Sequence, residues 1–313
     1  MITSITLLIL SLVALYIGAG WLVKGSSALA LKAKISPLVI GLTIVAFGTS
    51  APELVVSLNA TLAGQGDIAI GNVVGSNIFN IGVILGISAI ICPIQAKEQL
   101  TKLDIPLMVI AAILLTVFFW DGSLGRLEGI LFVAGIVIYT LFTLYYSRKK
   151  GKDPEDIELE EQPRHWLIDT GYIAGGLVIL IFSSRLLVDN AVSIARELGV
   201  SEAVIGLTIV SAGTSMPELA TSVVAAIKKN PEIAIGNIVG SNLFNVLAIA
   251  GISAAVHPIH AMNVNYIDLL VMLGISILLL PLVKSGQKIT RAEGLVLVIF
   301  YILYLLWLLR DII

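Results

Sequence analysis

The chain of 313 residues has one cysteine, three histidines and few charges. Cys92 has no second thiol, which excludes an internal disulfide and a thiolate metal cluster. Charged residues make up 13% of the chain, against about 25% for a soluble domain. Hydrophobic residues reach 58% and the mean hydropathy is +1.01. That composition excludes an ordinary water-soluble fold and points to an integral membrane protein. Basic residues number 19 and acidic residues 21, so no excess of positive charge exists to hold a nucleic acid. The apolar residues 1–23 lack both a basic leader region and a small-residue cleavage site, and they read as a retained first span.

What is abundant is apolar sequence in long runs. About 20 such residues cross the hydrocarbon core as a helix. Ten runs qualify, over about 4–23, 37–63, 69–92, 104–120, 126–146, 167–188, 202–227, 233–256, 266–283 and 291–309. The predicted fold class is an all-α polytopic membrane protein of ten transmembrane helices. With the N-terminus outside, the inner loops hold 15 lysines and arginines, and the outer side only Arg126, Arg185, Arg196 and Arg310. The expected location is the cell (plasma or inner) membrane, multi-pass, with both termini extracytoplasmic.

The sequence also repeats itself. Residues 41–53 read GLTIVAFGTSAPE and residues 206–218 read GLTIVSAGTSMPE. GNVVGSNIFN at 71–80 returns as GNIVGSNLFN at 236–245, again 165 residues later. Five spans per copy is an odd number, so the second copy enters the membrane with opposite polarity. The expectation is two inverted repeats, 1–146 and 166–313, joined by a polar cytoplasmic linker at 147–165 whose acidic part reads as solvated. Inverted repeats are an architecture of secondary transporters, with sites near the midplane where helices are broken. Gly48 with Pro52, and Gly213 with Pro217, are suitable breakers.

Each copy places a glutamate, Glu53 or Glu218, inside an apolar span with no basic residue of that span beside it. A carboxylate at that depth costs about 2.5–3.5 kcal/mol on insertion scales, and such residues mark ion pathways. Thr49 and Ser50, with Thr214 and Ser215, add hydroxyl oxygens, and the breakers release backbone carbonyls. Glu53 lies four residues beyond Thr49, which returns it to the same helix face one turn later, and Glu218 repeats that geometry with Thr214. Ser76 with Asn80, and Ser241 with Asn245, have the same spacing. Carboxylate, hydroxyl and carbonyl oxygens form a hard donor set suited to Ca2+ or Na+. Gly71-x-x-x-Gly75 and Gly236-x-x-x-Gly240 read as close-packing positions. For Asn72, Asn77, Asn237 and Asn242, bridging helices and binding ions are both open readings. Asp104, Asp121, Asp169, Asp189 and Asp268 fall near span ends, where the interface is expected to hydrate them. His257 and His260 lie together on the outer side.

At Gly48-Thr49-Ser50-x-Pro52-Glu53, Gly71-Asn72-x-x-Gly75-Ser76-Asn77 and their second copies, the chain resembles the cation/calcium exchanger (CaCA) superfamily, and within it the prokaryotic sodium/calcium exchangers. The resemblance covers essentially all ten spans. It implies an antiporter, not an enzyme, that exchanges Na+ for Ca2+ by alternating access and needs no cofactor. Its partners are Ca2+, Na+ and the lipid bilayer. Four ion sites are implied between the second, third, seventh and eighth helices. Carried over, Glu53 and Glu218 are the central Ca2+ ligands, helped by backbone oxygens of Thr49 and Thr214. Ser50, Ser76, Ser215 and Ser241 contribute to Na+ sites with the carbonyls of Ala46 and Ser211, and Asn80 and Asn245 line the remaining central position. Proton/calcium exchangers of the superfamily usually carry an acidic residue after the Gly-Asn pair. The stretches GNVVGSN and GNIVGSN favour sodium instead. Asn245 stands where some relatives, including potassium-dependent ones, have aspartate, which counts against potassium co-transport. A proton/calcium antiporter and a cation channel are the alternatives. No GxGD aspartyl pair and no serine–histidine arrangement lies inside the spans, so an intramembrane enzyme ranks far below transport.

Overall fold

The structure is a computed structural model that describes residues 2–150, 165–199, 211–261, 264, 266–284 and 286–310. It is nearly all helical. In chain order the helices are α1 Ile2–Ala33, α2 Pro37–Thr49, α3 Ala51–Leu62, α4 Gly66–Ile91, α5 Leu100–Phe118, α6 Arg126–Lys150, α7 Trp166–Glu197, α8 Ser211–Thr214, α9 Met216–Ile227, α10 Pro231–Val256, α11 Tyr266–Lys284 and α12 Arg291–Leu309. Eight of them are long and apolar enough to cross a membrane, and α2 with α3 form a further pair bent by 47°. Of the expected seventh span only α8 and α9 fall among the described residues; 202–210 and most of the linker lie outside them.

Local chemistry explains the breaks. The Ser36 hydroxyl accepts the Val39 N–H and Pro37 occupies the first turn, an N-terminal signal that starts α2 just after α1 ends at Ala33 and the chain turns at Lys34, whose φ is 55°. Ser50 (φ −82°, ψ 6°) separates α2 from α3, and Ser215 (φ −87°, ψ 11°) separates α8 from α9. Proline follows two residues later in each case, where it can donate no backbone hydrogen bond. Wider π-helical turns run through Gly41–Val45, Asn80–Leu85 and Phe244–Ala250. Such turns recur at functional sites.

Burial orders the bundle from centre to rim. In the central window of α10, 94% of residues are buried, and in α4 72%, but only 28% in α1, α6 and α7. The outer helices instead expose Ile138, Phe182 and Leu303, the side chains a lipid-facing surface needs. The glycine spacing is used for close approach. A Cβ on Gly236 would stand 2.5 Å from the Leu38 carbonyl, and one on Gly240 2.7 Å from that of Leu42, so α10 lies directly on the backbone of α2. At Gly71 nothing among the described residues comes within 4 Å, and residues 203–207, the repeat equivalents of 38–42, lie outside them. Two short antiparallel pairs, Ile94–Gln95 with Lys288–Ile289 and Ser123–Leu124 with Ile259–His260, tie loop ends together.

The sequence-based boundaries fall short at α1 and α7, which are 32 residues each and about 48 Å long. Lys24 and Lys32, expected in a loop, lie on α1. Lys24 stacks 5.0 Å from the ring centroid of Tyr172, and Lys32 pairs with Asp169 of α7. Asp169 and Asp104 are both fully buried, which corrects the expectation that the interface hydrates them. Protein groups take the place of water: Lys32 for Asp169, and the Tyr139 hydroxyl at 3.0 Å for Asp104.

Candidate functional site

The breaks at Ser50 and Ser215 bring two helix starts together at the centre of the bundle. Each serine donates across to the other break's glutamate. The Ser50 hydroxyl donates to Glu218 Oε1 at 2.8 Å, and the Ser215 hydroxyl donates to Glu53 Oε1 at 2.9 Å. Both glutamates are 1% exposed. Among the described residues no ion pair reaches either of them. Nor, among the described residues, does any group of three histidine, cysteine, aspartate or glutamate side chains stand where it could hold a metal.

A second ring of bonds holds the helices around this pair. Asn72 donates to the Glu53 carbonyl (3.2 Å) and the Ser57 hydroxyl (2.9 Å), and Asn237 does the same for Glu218 (3.3 Å) and Ser222 (2.9 Å). The Thr49 hydroxyl lies 3.1 Å from Asn237 Oδ1, and that of Thr214 lies 3.4 Å from Asn72 Oδ1. The open reading of Asn72 and Asn237 is thereby answered: they bridge helices. Ser57 and Ser222 were not singled out from sequence, although each sits four residues beyond its glutamate. Asn80 donates to Asn242 Oδ1, and Asn245 to Asn77 Oδ1, both at 3.1 Å. Asn77 and Asn242 donate in turn to the sulfurs of Met272 and Met108.

The same-face argument for Thr49 and Glu53 needs correction. The break at Ser50 lies between them, and Thr49 turns to Asn237 while Glu53 meets Ser215. The Thr49 hydroxyl also lies 3.1 Å from the Val45 carbonyl and 3.3 Å from that of Ala46. The Ala46 carbonyl further accepts the Ser50 N–H at 3.0 Å. The carbonyl that Pro217 releases, that of Gly213, is taken by the Ser184 hydroxyl at 2.7 Å. Ser76 lies 3.2 Å from the Ser215 hydroxyl. Ser211 opens α8, and its side chain falls outside the described residues.

Several buried oxygens at this centre have no hydrogen-bond partner among the described residues: Oε2 of Glu53 and of Glu218, Oδ1 of Asn80 and of Asn245, and Oγ of Ser241. Leaving such atoms unpaired costs about 1–3 kcal/mol each, more when charged. All are oxygen, the donor type of hard cations.

A family model described as sodium/calcium exchanger protein matches residues 3–145 and again 168–310. The chain is similar to CaxA of Alkalimonas amylolytica, 38% identical over 97% of this chain and 98% of that one. It is 33% identical to the sodium/calcium exchanger MaX1 of Methanosarcina acetivorans over 96% of both chains. It also resembles the inner membrane protein YrbG of Escherichia coli, at 36% identity over 82% of this chain and 81% of that one. Among solved structures, the sodium-calcium exchanger NCX_Mj soaked with zero Na+ and Ca2+ superposes with a TM-score of 0.86 at 32% identity, covering 98% of this chain and 99% of that one.

Proposed function

The chain belongs to the sodium/calcium exchanger protein family, a family of cation/Ca2+ antiporters in the membrane, and from that premise we propose that it exchanges Na+ for Ca2+ at overlapping sites around Glu53 and Glu218. The observation that carries this reading is the pair of reciprocal bonds Ser50–Glu218 and Ser215–Glu53, which leaves Oε2 of each buried glutamate without a partner among the described residues. Two carboxylates supply a charge that one Ca2+ matches, and that two Na+ match equally well. An exchanger needs such a site, one that either cargo satisfies and that both cannot fill together. Oxygens of Asn80, Asn245, Ser241, Ser50, Ser76 and Ser215 complete the donor set, with backbone oxygens of Thr49, Thr214, Ala46 and Ser211.

The bonds recur as exchanged pairs 165 residues apart, as in Asn72–Thr214 against Asn237–Thr49. A twofold relation generates contacts of this reciprocal kind. They support ten transmembrane helices in two inverted repeats, 1–146 and 166–313, joined by the linker 147–165, with both termini outside. The exposed pair α1 and α7 packs glycine on glycine, a Cβ on Gly176 standing 2.8 Å from the Gly18 carbonyl. In this reading α1 and α7 rock against the buried centre of α4 and α10, opening the site to each side in turn. Inward Na+ flow drives Ca2+ out, and protonation of either glutamate competes with the cation, so exchange falls at acidic pH.

The absence of an acidic residue after Gly71-Asn72 and Gly236-Asn237 favours Na+ over H+ as counter-ion. Sodium-gradient-driven 45Ca2+ uptake into vesicles tests the assignment. Glu53→Gln and Glu218→Gln each abolish it in this reading, and uptake at the wild-type level in either variant overturns it.

A further inference from the structure

Asn80 and Asn245 reach the centre with a side chain that fits either way round. A carboxamide has an oxygen at one end and two N–H donors at the other, at nearly equal size. Only the oxygen end can ligate a cation; the N–H end repels it. Something must therefore set the orientation, and burial of 1% exposure at both residues keeps water from doing so.

The chain of contacts behind each asparagine ends on a group with one possible role. Asn80 Nδ2 donates to Asn242 Oδ1 at 3.1 Å, and Asn242 Nδ2 donates to Met108 Sδ at 3.5 Å. In the other half, Asn245 Nδ2 donates to Asn77 Oδ1 at 3.1 Å, and Asn77 Nδ2 donates to Met272 Sδ at 3.6 Å. A thioether sulfur accepts a hydrogen bond and cannot donate one. With sulfur beside it, Asn242 must turn its N–H end to Met108 and its oxygen to Asn80. Asn80 then answers with its own N–H end, and its oxygen is left aimed elsewhere. That oxygen, like Oδ1 of Asn245, is among the buried atoms without a partner. Met108 and Met272 are 2% and 0% exposed, so no solvent competes for the sulfurs.

We propose that Met108 and Met272 are positioning residues for the exchange site: each thioether fixes the sense of a two-asparagine relay, so that Asn80 and Asn245 present oxygen and not N–H to the transported cation. The proposal rests on the cation-exchange reading of the same centre. It assigns to α5 and α11, which carry no motif residue, a part in cation affinity. A buried methionine at such a position would otherwise read as apolar filling.

The test titrates Ca2+ and Na+ separately against thermal stabilisation of the detergent-solubilised protein, which reads binding without transport. Met108→Leu and Met272→Leu keep the volume and remove the acceptor. Each is expected to raise the half-saturating concentration of one or both cations by about three- to tenfold, the effect of one lost hydrogen bond. In an Asn80→Asp background the side chain has only acceptors and faces the Asn242 oxygen that Met108 holds toward it; Met108→Leu frees Asn242 to turn its N–H end to the aspartate, so the double variant should bind no more weakly than Asn80→Asp alone. Unchanged half-saturation in both single variants overturns the relay. So does an equal loss in the Asn80→Asp background, which would make the methionine a packing residue only. Absence of sodium-driven flux in the wild type would strike the exchange reading and leave this binding measurement intact.

Discussion

Glu53 and Glu218 share the apolar interior with Asp104, Asp169 and Asp268, and their neighbours separate the two groups. Lys32 pairs with Asp169. Tyr139 donates to Asp104 at 3.0 Å and Tyr304 to Asp268 at 2.7 Å, each tyrosine coming from the next helix. These outer acids are held by one dedicated donor apiece and join helix to helix. The central pair instead meets serine hydroxyls carried by the other half of the molecule. Burying a charge without a partner is costly enough that proteins seldom retain it without use. Depth alone therefore does not mark a functional carboxylate in this fold. The partner separates them: a serine of the opposite break for each glutamate, a lysine or a tyrosine of a neighbouring helix for each aspartate.

Substitutions should divide the two groups along that line. The largest effect is expected at the centre. In the exchange reading, removing one of two ligand charges compares with breaking a buried ion pair, about 3–5 kcal/mol, so 45Ca2+ uptake in Glu53→Gln or Glu218→Gln should fall by about 100-fold or more. The variants should still fold, since glutamine keeps the Oε1 acceptor. Next comes Lys32→Met, which strands the buried Asp169 carboxylate. A loss near the low end of that range, about 3 kcal/mol, should lower the melting temperature while uptake per folded molecule holds. Smaller again are Tyr139→Phe and Tyr304→Phe. Each should cost about 1–2 kcal/mol of stability in thermal denaturation. Tyr139→Phe should cost more, because Asp104 is fully buried and Asp268 only partly. Loss of uptake in the tyrosine variants at unchanged stability would erase the distinction between the groups.

Much of this arrangement was readable in the sequence. Hydropathy found eight spans as single helices and the second as the bent pair α2–α3, because each is a long apolar run, and the repeated GTSxPE and GNxVGSN stretches supply most of the groups that meet at the centre. Legibility failed where partners are distant in sequence. Asp104 looked interfacial because it opens a span, but its partner Tyr139 is 35 residues away, and a π-helical turn at Leu100–Asp104 places it inside. Lys32 looked like a loop residue because charge ends an apolar run, but its carboxylate partner lies 137 residues on, which lets the helix continue. Thr49 and Glu53 were set on one face by counting along an unbroken helix, and the turn at Ser50 removed that premise. The helix-bridging bonds of the asparagines of the second motif could not be read until their partners, Ser57, Ser222, Met108 and Met272, were in place.

The sharpest measurement is 45Ca2+ flux in proteoliposomes of the purified protein, with Na+, K+ and H+ gradients imposed one at a time. If Glu53 and Glu218 form a site shared by Na+ and Ca2+, an opposed Na+ gradient alone should drive Ca2+ accumulation, and K+ and H+ gradients without Na+ should not. Accumulation driven by a pH gradient in the absence of Na+, or Ca2+ conductance that needs no counter-ion, would contradict it.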